Sequence, residues 1–486
     1  MARALNPEFV RNVRAQLRPG KMLTAAIICG VLSLAAGAGL AFTGWMDAAA
    51  NPWGLTLLSV ALGAQVYVLL LGGGIACLHA IQREKESNTF DFQRVTRLTP
   101  RELALGKLFG APALSYFVAL CLLPAAIVGA VTGGAAPAFV VAAYVILLLG
   151  AICYHAFALM VSMLVERTAA TAAVLVFIVL VFFPWATTRW FLGLSEISPL
   201  FATELSSMTS WANVPWVGGV TDMLLGRPVH HAPVLIVLYL AFTAWFLLAV
   251  VRNIKRDPAV YELYSPAQAL GLALFVNLIL IGFFRWSSTD PLNAQQIVLG
   301  FNATLFMLLG LALIRNRDRL RRVWQAGSRE PRWITVTHPA PYIVVGLLAM
   351  GLVAVAVQQA VQNPDPPWGA GVAIFKVVFL AAWLARDILF LQWMNLRRGH
   401  RRLTLGVLYL VVGYVGASVL FGALGLYRTP LGAALATAVV PASILNLWLS
   451  LSPAWTLALV VQVAVVGVFV RLQRRAVAEL TMTAGA

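Results

Sequence analysis

The residues able to do bond chemistry are few and scattered. Cys29, Cys77, Cys121 and Cys153 each lie inside an apolar run, with no C-x-x-C spacing. That is the usual setting of a small buried hydrophobe, not of a disulfide or metal framework. Gly20-Lys21 is followed by Met22 and Gly106-Lys107 by Leu108. A phosphate-cradling G-x-x-x-x-G-K-[ST] loop needs a hydroxyl there for Mg²⁺, so neither fits. No H-E-x-x-H or G-x-S-x-G occurs. The carboxylates Glu196, Glu204 and Asp222 are too far apart in sequence to argue for an acid–base pair, and His230-His231 lacks a nearby third ligand. No catalytic residue, cofactor or metal is expected.

The polar chemistry is concentrated instead in two short stretches. Residues 84–107 read EKESNTFDFQRVTRLTPRELALGK between long apolar runs. Ser87 is placed to cap a short helix over residues 88–95, which would show Phe90 and Phe92 to its surroundings. Thr99, Pro100 and Glu102 give a second start signal: a capping hydroxyl, a proline at the first helical position and an acid at the capping-box position. The stretch is thus two short helices joined near Arg97-Leu98, running through Gly106 and Lys107 into the next apolar segment. Near the N-terminus, NPEFVRNVRAQLRPG offers Asn6 as a cap and Pro7 at the first helical position. Val10, Val13 and Leu17 make one stripe, and Arg11, Arg14 and Arg18 repeat the spacing one residue on. Such a helix suits a membrane interface, with its apolar stripe down and its guanidiniums among lipid phosphates.

The elements that must carry these stretches are apolar. The chain has 486 residues, 61% hydrophobic and 11% charged, with a mean hydropathy of +0.85. Soluble domains carry about 25% charged residues, so the composition defines an all-α polytopic membrane protein. Windows of about 20 residues give about twelve candidate spans, centred near Leu34, Val68, Ala119, Leu147, Ile178, Phe242, Phe275, Leu308, Leu352, Leu380, Val415 and Ala464. Leu431 to Leu451 is also apolar but carries Pro441 and Asn446, and reads as a re-entrant or interfacial segment. The run Met22 to Thr43 is too long for the core of a signal peptide, so an uncleaved first span is expected.

Net charge is +17, but the basic residues lie in short segments between apolar runs and not on one soluble face, which argues against a nucleic-acid partner. With both termini on the cytoplasmic side, the outer segments hold only Arg189, Arg227, Arg285 and Arg428, and Lys376 lies within a span. The remaining Lys and Arg residues all fall inside, as the positive-inside rule requires.

Residues 1–255 then form one six-span region and 256–486 a second. The inner loop RNRDRLRRVWQAGSREPRW (315–333) takes the place in the second half that 84–107 takes in the first. The two halves are either a diverged duplication or a six-span unit with an appended one. A further inner element, residues 384–402, reads as an interfacial helix, a partner contact or a solvated face. Lys376, about eight residues inside the tenth span, is either a polar residue of a transport pathway or a lysine that snorkels outward. His155 reads as a satisfied histidine of the helix bundle. Gln65, Asn277, Asn302 and Gln462 read as hydrogen bonders between helices. Pro112 and Pro124 are placed to kink the third span.

The stretch 84–107 resembles the first inner loop of ABC-2-type transporter permeases, in which E-x-E-x-G-T is followed by T-x-L-[ST]-P, a glutamate and G-K. The matching positions are Glu84, Glu86, Thr89, Thr96, Leu98, Thr99, Pro100, Glu102, Gly106 and Lys107, with Asn88 in place of the usual glycine. Residues 6–14 resemble that family's interfacial elbow helix, here Asn6, Pro7, Arg11, Arg14 and Arg18. The resemblance covers roughly residues 6–110 and extends more weakly, through the spacing of spans, to about residue 255. It implies a permease subunit of an exporter in a bacterial inner membrane, whose loop docks on a separate ABC ATPase subunit, with Phe90 and Phe92 at the contact. The chain would work as a homodimer or as a single-chain transmembrane unit. An ion-coupled secondary transporter and a membrane-embedded enzyme are the alternatives. The orientation is directly checkable: a cysteine introduced into 315–333 is expected to react only with membrane-permeant thiol reagents, and labelling by an impermeant one would reverse the topology.

Overall fold

A computed structural model describes residues 6–46, 53–87, 89–164, 221–225, 227–256, 262–284, 286, 289–315, 317, 320, 331–362, 369–397, 402–425, 429–439 and 453–482. They form two compact units, Met1–Tyr264 and Ser265–Ala486. Helices dominate both. Ten are long and apolar enough to cross a membrane by length and composition. The segment around Ile178 lies outside the described residues, and the helix around Leu380 is not one of the ten.

The first unit opens with α1 (Pro7–Gln16) and the long α2 (Pro19–Met46). A continuous rod follows, made of α3 (Trp53–Tyr67), a π-helical segment (Val68–Gly73) and α4 (Gly74–Glu86). Next come the short α5 (Phe90–Val95) and α6 (Pro100–Gly110), then the spans α7 (Ala113–Thr132) and α8 (Pro137–Leu164). An antiparallel hairpin, β1 (Thr221–Leu224) with β2 (Arg227–His230), precedes α9 (His231–Asn253). The hairpin is an addition to the all-α expectation. Pro112 separates α6 from α7, whereas Pro124 sits inside α7.

Apolar faces decide the packing. On α2, Leu23, Ile27, Val31 and Leu34 are exposed, a surface suited to acyl chains and costly in water. Among α3, α7, α8 and α9, Leu58, Leu62, Ala126, Ile146 and Tyr239 form a buried cluster. Polar groups inside the bundle are paired across helices: Gln65 donates to the Ala119 carbonyl at 2.9 Å and accepts from the Tyr144 hydroxyl at 2.9 Å. His155 bonds the Leu69 carbonyl at 2.8 Å and the Tyr116 hydroxyl at 3.0 Å. The carbonyl can only accept, so in the neutral ring Nε2 carries the proton and Nδ1 accepts from Tyr116. Leu69 belongs to the π-helical segment, where the wider turn disturbs the regular bonding ladder. The glycines that follow let α8 approach it: a Cβ on Gly73 would lie 2.2 Å from His155 Nε2, and one on Gly74 would lie 2.4 Å from the Tyr154 ring.

The second unit contains α10 (Pro266–Phe283), α11 (Pro291–Leu313), α12 (Arg332–Thr337), α13 (Ala340–Gln362), α14 (Gly369–Leu396), α15 (Arg402–Ala423), α16 (Pro430–Val439) and α17 (Pro453–Met482). Its centre is α14, which packs against α11, α13, α15 and α17. Phe306, Leu347, Val377, Phe379, Leu380 and Leu384 lie in one core. Small residues set the close approaches: a Cβ on Gly310 would lie 2.4 Å from Ile388, and one on Gly351 2.5 Å from Val377.

Several sequence expectations change here. Residues 384–396 are neither a separate interfacial element nor a solvated face but the end of α14. Asp387 is buried there and accepts from Arg386 Nε at 2.9 Å, from Trp383 Nε1 at 2.7 Å and from the Tyr414 hydroxyl. Arg386 also donates to the Ala438 carbonyl at 3.2 Å, so one carboxylate and its partner tie α14 to α15 and α16. Gln462 bonds the Ala438 carbonyl across helices, but Asn277 bonds Ala273 in its own helix.

Ser87 closes α4 and donates to the Arg83 carbonyl, and Thr89 precedes α5. Phe90 and Phe92 do not share a face. Phe90 is 4% exposed and packs with Ile81, Leu103, Leu108, Leu159 and Val250, whereas Phe92 is 74% exposed. Positions i and i+2 of a helix point to different sides, so one of the two had to turn inward. Phe90→Ala is therefore expected to destabilise the detergent-solubilised protein by about 3–5 kcal/mol, and Phe92→Ala to leave its melting temperature unchanged. Equal effects would contradict this packing.

Candidate functional site

Two glycines bring the amino-terminal helix onto the polar loop. A Cβ on Gly106 would lie 2.7 Å from Glu8 Cβ and 2.9 Å from the Phe9 amide, and one on Gly110 would lie 2.7 Å from Asn12 Cβ. With hydrogen at both positions, α1 lies directly on α6. Gly106 thus acts through space, not through backbone conformation.

Both helices begin as their sequences require. The Asn6 side chain accepts from the Glu8 amide at 3.0 Å and donates to the Glu102 carbonyl at 2.5 Å. Pro7 holds the first helical position. On α6, Thr99 accepts from the Glu102 amide at 3.2 Å, and Glu102 accepts from the Thr99 amide at 2.6 Å. This closes a capping box behind Pro100. The Thr99 hydrogen bonds hold the Glu102 carboxyl below the usual glutamate range. A depressed folded-state pKa stabilises the helix above the unfolded value, and that contribution fades as pH falls through the folded one.

Between the two helices lies an ion cluster, buried except for the half-exposed Arg11. Lys107 has no exposed surface. Its ammonium reaches Glu84 Oε2 at 2.5 Å and Glu8 Oε1 at 3.1 Å. Arg11 Nη2 bridges the same carboxylates, at 2.8 Å from Glu8 and 2.6 Å from Glu84. Asn12 donates to Glu8 Oε1 at 2.9 Å, and Gln93 of α5 donates to Glu84 Oε1 at 2.5 Å. Two acids and two bases leave the cluster formally neutral. It joins α1, α4, α5 and α6, four elements spread over the first hundred or so residues. Lys255, just beyond α9, donates to the Thr96 carbonyl at 2.8 Å and fastens the far side of the loop.

Glu84, Gly106, Lys107, Asn6 and Arg11 are thus brought together, with Thr99, Pro100 and Glu102 shaping one end of the same assembly. Glu86, Thr89, Arg14 and Arg18 are exposed and stay outside it. Phe90 is part of the core beneath. Phe92, with Val95 at 83% exposure, forms the apolar tip of the loop. Glu8, 3% exposed, is a member that sequence reasoning passes over, because an acid in a first helical turn is ordinary. The signal was there: Glu8 is the lone acid of a basic arm, with Arg11 and Asn12 three and four residues on. Lys376 belongs to the second unit. It is 2% exposed and donates to Gln295 Oε1 at 3.1 Å, so it does not snorkel to the surface.

No family model, no curated protein and no solved structure matches the chain.

The cluster ties α1 to the loop. Lys107→Met would leave Glu8 and Glu84 sharing the half-exposed Arg11 as their one counter-charge, at an expected cost of up to about 3–5 kcal/mol. Adding Glu8→Gln should recover part of that loss. A double-mutant cycle on the solubilised protein measures the coupling, and strictly additive effects would refute it.

Proposed function

We propose that this chain is the permease subunit of an ABC-2-type exporter, and that a separate ATPase subunit binds the 84–107 loop. The observation that carries the reading is the pair of exposed apolar side chains, Phe92 and Val95, on a short helix held from both sides. Glu84 grips α5 through Gln93, and Lys255 grips its exit through Thr96. A loop that only connected two spans would have no need of this bracing. The ordered resemblance from Glu84 to Lys107 supports the same role.

In this mechanism, ATP binding moves the partner against α5. Because α5 is joined through Glu84 and Lys107 to α1, α4 and α6, the push is shared by the ends of several spans and not absorbed by a soft loop. The spans then rock to open a path. The exposed Arg14 of α1 and Arg18 just beyond it lie among lipid headgroups on the cytoplasmic face and keep the joint at the membrane surface. The membrane is a bacterial inner membrane, and the direction is outward.

An ATPase subunit is expected to co-purify with the chain. Phe92→Ala with Val95→Ala should weaken that association by about 30-fold or more, as for an aromatic anchor lost from an interface, while membrane insertion and melting temperature stay the same. An ATPase retained in full by the double variant would sink the proposal.

A further inference from the structure

The chain buries two lysines in different ways. Lys107 lies between two carboxylates, with an arginine to balance them. Lys376, on α14, is as deeply buried, yet its partner is a single neutral amide, Gln295 Oε1 of α11 at 3.1 Å. Among the described residues no carboxylate pairs with it. Gln295 Nε2 is itself buried and has no acceptor. Asn302, seven residues further along α11 and so on the same face, is also buried, with neither side-chain polar atom partnered. Val372, Ala373 and Val377, close to Lys376 along α14, and Leu299, one turn from Gln295 on α11, are buried in the apolar core of this unit.

These groups show a surplus of donors. An ammonium has three N–H groups and an amide nitrogen two; among the described residues those of Lys376 and Gln295 find one acceptor, Gln295 Oε1, and neither bonds the Asn302 amide. Burying a charge is costly unless a counter-charge or several hydrogen bonds accompany it. A long lysine stem could carry its charge outward, but this one stays inside. The chain supplies a complete set of counter-charges at Lys107 and at Arg386–Asp387, so the open set at Lys376 is a specific arrangement. One positive charge beside unused N–H donors within an apolar core matches one negative charge.

We infer that Lys376 and Gln295 form a binding site for a single monovalent anion, either a small inorganic ion or the carboxylate of a larger solute. The ammonium supplies the charge, the amide nitrogen a second hydrogen bond, and the apolar walls exclude water and strengthen both. The site rests on the second unit alone and stands apart from the ATPase-docking role.

The test is thermal unfolding of the full-length chain in detergent, at constant ionic strength, with sulfate replaced stepwise by chloride or by acetate. The wild type should gain a saturable rise of about 2–4 °C in melting temperature. That rise should vanish in Lys376→Met and shrink in Gln295→Leu, which removes general salt effects from the comparison. A response to chloride identifies an inorganic ion, and a response to acetate alone identifies a carboxylate. Equal behaviour of wild type and Lys376→Met in both anions would overturn the site. Where chloride gives the response, bromide gives a reading that needs no variant: an anomalous peak within hydrogen-bonding distance of Lys376 Nζ supports the proposal, and none at saturating bromide refutes it.

Discussion

An ammonium group shut away from water is costly unless a counter-charge or several hydrogen bonds offset its lost hydration. In the first unit that requirement falls on Lys107, and much of the local structure follows from it. Glu84 must reach it from the end of α4, so the rod from Trp53 to Glu86 has to end beside α6. Glu8 must reach it from α1, so the amino-terminal helix has to lie flat on α6, which only the bare Gly106 and Gly110 permit. Arg11 then balances the second carboxylate. Removing any one of these features leaves a charge without a partner, and the others lose their reason for being where they are.

Elsewhere, buried polar groups turn to backbone carbonyls. Gln65 uses Ala119, His155 uses Leu69, Ser162 uses Leu78 and Gln462 uses Ala438. In an apolar medium such bonds hold helices together where the hydrophobic effect cannot, because lipid tails are as apolar as the helix faces. Asp387 does the same with side chains, drawing Trp383, Arg386 and Tyr414 around one carboxylate.

What the sequence made legible was local. Composition announced a helical, multi-pass protein, and the signals at Asn6-Pro7 and Thr99-Pro100-Glu102 marked two helix starts that the structure places at those residues. These depend on neighbours three or four positions away. The failures depend on distant residues. Whether Phe90 or Phe92 turns inward depends on Ile81, Leu103 and Val250. Whether Lys376 reaches the surface depends on the helices around it. Glu8 is ordinary until Lys107 is known to stand 3.1 Å away. Ser87 was a plausible cap for the following helix, but its hydroxyl closes the preceding one, and one sequence fits both uses.

The glycine contacts between α1 and α6 bear on how the chain is made. Glu8 is synthesised long before Lys107, and Asn6 long before the Glu102 carbonyl that it bonds. At about 5–20 residues per second, the amino-terminal helix waits roughly 5–20 s for its seat. During that interval Glu8 lacks Lys107, and Asn6 lacks its acceptor on α6. Docking of α1 therefore comes after synthesis of everything from α2 through α6, and the joint closes only when Lys107 has been made.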